Sequence, residues 1–77
     1  MRRHRPTKEE IIDLILNEFH CQGDEYTLLS CLNLDYWDET ILCGVLQDTY
    51  GIYVYEGGLF DRNATLGSVA DEILGCF

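Results

Sequence analysis

A chain of 77 residues holds one domain at most, and a core of that size stabilises a fold only narrowly unless it is helical, stapled or partnered. Hydrophobic residues make up 47% and charged residues 25%, the balance of a globular domain, and no apolar run is long enough to span a membrane, so most of the chain is expected to be ordered and no membrane-spanning helix is expected. The net charge is −9, and from Glu9 onward 14 acids face Arg62 alone, a net of −13, which repels nucleic acid and anionic lipid and attracts a basic protein surface.

Four of the five basic residues, Arg2, Arg3, Arg5 and Lys8, lie in the first eight positions. The acidic TKEE follows where a signal peptide would turn apolar, so residues 1–6 are expected to form a flexible basic tail and 7–77 the folded domain. The first element is TKEEIIDLILNEFH. Thr7 with Glu10 three residues later has the spacing of a capping box, and Ile12, Ile15, Leu16 and Phe19 form one apolar stripe, which predicts an amphipathic helix over 7–20 that ends near Gly23. CQGDEYTLLSCLNL reads as an ordered loop anchored by Leu28, Leu29, Leu32 and Leu34.

A second helix is predicted from YWDETILCGVLQDTYG. Asp35 is its N-cap, Asp38 stands at the third helical position and Glu39 just after it, where acids suit the positive end of the macrodipole. Leu42, Val45, Leu46 and Tyr50 supply its buried stripe and Gly51 its stop. In GIYVYEGG, Ile52 and Val54 alternate with Tyr53 and Tyr55, but no other strand is present to pair with them, so the expectation is an extended connector. GLFDRNA is expected to form one helical turn, and TLGSVADEILGCF a closing helix with Thr65 as N-cap and Leu66, Val69, Ala70, Ile73 and Leu74 on its buried side.

Few residues suggest chemistry. Ser30 and Ser68 lack a His and acid arrangement, and His20 fits the charge-favoured C-terminus of the first helix, so no enzyme is expected. Asp61, Asn63, Thr65 and Glu72 match oxygen-ligand positions of a calcium loop, yet Leu66 stands where that frame requires glycine, and Leu66 with Val69 is better read as helix core. Cys21, Cys31, Cys43 and Cys76 form no CxxC pair, which argues against zinc. They are read as free, mostly buried thiols, with disulfides the alternative.

Taken in order, TLLSCLNLDYW, LCGVLQDTYGIYV and ATLGSVADEIL resemble the acyl carrier protein family over about residues 7–75. The first is similar to that family's loop running into its Asp-Ser-Leu motif, the second to its second helix and exit, the third to the Thr-hydrophobic-Gly start of its last helix. The resemblance implies an all-α fold: a small antiparallel four-helix bundle with a long loop between helices one and two and a short third helix. It also implies a serine that carries 4′-phosphopantetheine and an acidic second helix that docks on basic patches of acyl-metabolism enzymes. Here Asp35 matches the family's Asp, but Tyr36 occupies the serine position and Trp37 the leucine position. A phenol is larger and reaches farther than a serine hydroxyl, so a transferase shaped for serine is expected to reject it.

Ile41 falls where the family commonly shows an exposed Glu. Together with Tyr36 and Trp37 it is expected to make an apolar patch rimmed by Asp35, Asp38 and Glu39, with Asp48 farther along the same helix. Whether Trp37 turns into the core or outward is left open by the pattern. The expected protein is a cytoplasmic, monomeric, non-enzymatic adaptor without cofactor that binds a basic protein surface through Asp35, Tyr36, Trp37, Asp38, Glu39, Ile41 and Asp48. The alternative is a genuine acyl or peptidyl carrier bearing 4′-phosphopantetheine.

Overall fold

Three α-helices account for the regular structure in a computed structural model that describes residues 5–54, 59–61 and 63–77. They are α1 (Lys8–Glu18), α2 (Tyr36–Tyr50) and α3 (Leu66–Leu74), with one 3₁₀ turn, Leu29–Leu32, in the long loop. The protein is all-α: no strand occurs among the described residues, only a single antiparallel bridge between Leu28 and Thr65. The radius of gyration, 11.4 Å, is that of a compact chain, for which about 11.5 Å is expected at this length. No helix among the described residues is long and apolar enough to cross a membrane.

Each helix begins with the same device. Thr7 and Glu10 exchange bonds at α1, Asp35 and Asp38 at α2, and Thr65 and Ser68 at α3, so in every case the cap side chain accepts from the third helical N–H and is answered in return. The remaining donors of α3 are met from the long loop. Leu66 N–H donates to the Thr27 carbonyl at 3.0 Å and Gly67 N–H to the Glu25 carbonyl at 2.9 Å, while Leu29 N–H bonds back to Ala64. The loop is thus ordered because it supplies acceptors that a helix start needs. Asp24 shapes it, accepting from Tyr26 N–H and the Thr27 hydroxyl.

This pinning explains Gly67. A Cβ there would lie 2.8 Å from the Glu25 carbonyl oxygen, inside van der Waals contact, so the helix can sit against the loop only with a glycine at that position. Lys8 closes the same corner from α1, with its ammonium 3.2 Å from Asp71 and 3.5 Å from Glu25. The hydrogen bond to Asp71 holds the Lys8 pKa above the ordinary lysine value, against a smaller opposing effect of burial.

The core is shared by all elements. Ile11, Ile15, Leu29, Leu42, Leu46, Leu66, Val69 and Ile73 are fully enclosed, and Ile52 and Val54 join them from an extended connector whose Tyr53 points out. Edge-to-face ring pairs, Phe19 with Phe60 and Tyr50 with Phe77, tie the ends of α1 and α2 to later segments.

Several expectations shift in detail. Helix α1 ends at Glu18 rather than residue 20, because Phe19 caps it and His20 adopts a left-handed conformation (φ 55°) from which Cys21 N–H returns to the Leu16 carbonyl; Gly23 is not the stop. Leu28 is exposed and only Leu29 of the loop leucines is fully buried. The turn of helix expected at 58–64 lies partly outside the described residues; within them, Leu59, Phe60 and Asn63 are in turns. None of the four cysteines forms a disulfide, but of them only Cys43 is buried, Cys31 and Cys76 being exposed.

Candidate functional site

The mouth of α2 is set by Asp35. Its Oδ1 accepts from the N–H groups of Trp37 (3.0 Å) and Asp38 (3.4 Å), and Asp38 Oδ2 accepts from Asp35 N–H at 3.0 Å. The chain reaches this cap through Asn33, whose left-handed backbone (φ 57°) ends the 3₁₀ turn. With its backbone so fixed, the first helical turn projects two aromatic rings into solvent. Tyr36 is 64% and Trp37 66% exposed, and their centroids lie 5.0 Å apart with the planes tilted by 31°. Trp37 therefore faces outward, which the pattern left open.

Helical geometry accounts for this. Glu39, Leu42 and Leu46 recur at three- and four-residue steps and face the core, whereas Trp37, Ile41, Gly44 and Asp48 repeat on the opposite side, all exposed. Ile41, at 50% exposure, adds an aliphatic surface beside the rings. Asp35, Asp38 and Asp48 surround this apolar strip with negative charge.

Glu39 does not belong to that rim. It is 3% exposed, on the inner side of α2, and its carboxyl Oε1 accepts from Phe60 N–H at 2.9 Å. Its position in the first turn suits the macrodipole as expected, but its side chain faces the core. The bond fastens the 59–61 segment to α2, and that segment borders an open cleft of about 570 Å³ lined by Ser30, Asn33, Leu34, Asp35, Tyr36 and Phe60. Tyr36 is thus at once part of the exposed strip and one wall of the cleft.

Gly44 joins the site although the sequence pattern does not single it out. A Cβ built there meets nothing within 4 Å, and the residue sits mid-helix with no left-handed backbone, so the fold itself does not call for glycine. Such a residue costs a helix about 1 kcal/mol relative to alanine. An isolated glycine inside a helical stripe is the signal that points to it.

Among the described residues no group of three or more His, Cys, Asp or Glu is arranged to hold a metal ion. Of the calcium-like set, Asp61 accepts from Asn63 N–H and the Thr65 hydroxyl caps α3. Comparison with protein-family models, with curated proteins and with solved structures gave no match.

Proposed function

We propose that this chain is a non-enzymatic, acidic adaptor of acyl-carrier-protein type, a four-helix-type bundle without the serine that would carry a prosthetic arm, which binds a basic protein surface through α2. The observation that carries the reading is the exposed Tyr36–Trp37 pair at the mouth of an acidic helix. Large aromatic side chains in water are poor for a free surface and good anchors for an interface when acids ring them. The order of elements supports the carrier-like architecture: a capped helix, a long pinned loop, an Asp-capped acidic helix and a final helix that opens Thr65-Leu66-Gly67. The cytoplasmic setting and monomeric state are part of the same proposal, as is a partner drawn from acyl metabolism.

The test is an intact mass after incubation with coenzyme A and a promiscuous phosphopantetheinyl transferase. The expected result is an unmodified chain, and modification after Tyr36→Ser. A modified wild-type chain overturns the adaptor reading and establishes the carrier.

A further inference from the structure

The outer face of α2 carries a feature that its own fold does not explain. Gly44 lies between Ile41 and Asp48 on the side turned away from the core, and open space surrounds the position a side chain would take. Gly67 is held to glycine by the Glu25 carbonyl, and Gly51 by a left-handed backbone (φ 69°); Gly44 has neither reason. What a helical glycine provides on an exposed face is close approach of another backbone. Trp37 and Ile41 stand on the same strip and offer the apolar contact that such an approach would cover.

The charge selects the occupant. A second copy of this chain would set Asp35, Asp38 and Asp48 against their own kind on a body of net −9, and an anionic lipid or nucleic acid would meet the same repulsion. An extended peptide would want a sheet edge, and the described residues contain no strand. A helix packs naturally on a straight helical face, its ridge of side chains entering the groove that a missing side chain deepens. Resting on the adaptor reading above, we propose that the partner presents an arginine-bearing amphipathic helix that crosses α2 over Gly44.

Arginine, rather than lysine, follows from the chemistry at the end of the strip. The Tyr36 and Trp37 rings are both largely exposed beside Asp35, whose cap uses Oδ1 and leaves Oδ2 to accept from outside. A guanidinium can lie on a ring and donate to a carboxylate in the same pose, whereas an ammonium is a strongly hydrated point charge.

The experiment uses the full chain and two synthetic amphipathic helical peptides, identical except that one carries arginine and the other lysine. Trp37 is the only tryptophan, so its emission reports binding at this face directly. The expected result is saturable binding of the arginine peptide, binding of the lysine peptide roughly two- to fivefold weaker, and at least tenfold loss of both in Gly44→Gln. That variant puts a good helix former into open space, so its helical circular dichroism and melting temperature should match or exceed the parent's. Unchanged arginine-peptide affinity in a folded Gly44→Gln overturns the crossing over Gly44. If that binding still weakens in Asp35→Asn/Asp48→Asn, the adaptor reading survives alone. Equal binding of the two peptides overturns the arginine assignment, and a silent Trp37 with both overturns the proposal and the adaptor reading together.

Discussion

Gly67→Ala and Gly44→Ala exchange the same atoms in two helices and are expected to act with opposite signs. On propensity alone each gains about 1 kcal/mol. At Gly67 the new methyl would lie 2.8 Å from the Glu25 carbonyl oxygen and 3.1 Å from Glu25 Cβ, and the oxygen is backbone, so loop and helix must part. Overpacking of this kind costs about 1–3 kcal/mol. The separation also weakens the 2.9 Å bond from Gly67 N–H to Glu25, and a buried N–H without a partner costs about 1–3 kcal/mol more. After subtracting the propensity gain, Gly67→Ala should destabilise by roughly 1–5 kcal/mol, and at the mid-range value of about 3 kcal/mol lower the melting temperature by about 12–24 °C in a domain of this size. Gly44→Ala meets nothing and should raise it by about 4–8 °C. Thermal and urea unfolding followed by circular dichroism measure both. A Gly67→Ala protein that melts at or above the parent would refute the account of how the loop is fastened to α3.

Glu39→Ala should cost about 1–3 kcal/mol in urea unfolding by leaving Phe60 N–H without its acceptor, and Glu39→Gln, which keeps an acceptor oxygen, should recover most of it; equal losses would deny the bond its role. Trp37→Ala should leave the melting temperature within a few degrees, since the ring is largely in water, while weakening the binding of a basic peptide at α2, followed by calorimetry because the variant has no tryptophan; unfolding would return the side chain to the core. Stability should fall on the alkaline side. Lys8 is held above 10.5 by its bond to Asp71, so its contribution is complete below that value and is lost as pH rises through the folded pKa. Tyr26, raised above 10.0 by its hydrogen bond to Glu25, and Tyr50, raised by burial, act in the same direction, so the urea midpoint should drop above about pH 10. Lys8→Met should make that drop shallower, and an unchanged slope would remove the pair from the account. With a thiol-reactive chromogen Cys31 and Cys76 should react first and Cys43 last, at the rate of unfolding; fast labelling of Cys43 would contradict its burial.

What could be read beforehand divides by the range of the interaction. The boxes at Thr7 and Asp35 are made by residues three apart, so the beginnings of α1 and α2 were legible to the residue. The end of α1 was not, because it turns on the left-handed backbone of His20, a conformation that glycine more commonly supplies at a helix end. Glu39 shows a subtler division. Its place in the first turn suggested a surface charge, yet it stands three residues before Leu42 and seven before Leu46, on the core side by simple helical arithmetic. The stripe therefore contained the warning, while the donor that satisfies the carboxyl, Phe60 N–H, lies 21 residues away and no local pattern could supply it. The same arithmetic separates Trp37 from the leucine role that resemblance assigned it. A side chain directly opposite Leu46 cannot enter the core without rotating the whole helix, which would expose Leu42 and Leu46 and drag the carboxyl of Glu39 away from Phe60. The buried face of α2 thus holds the aromatic residue outward, and the position of the candidate site is a consequence of how the core is packed.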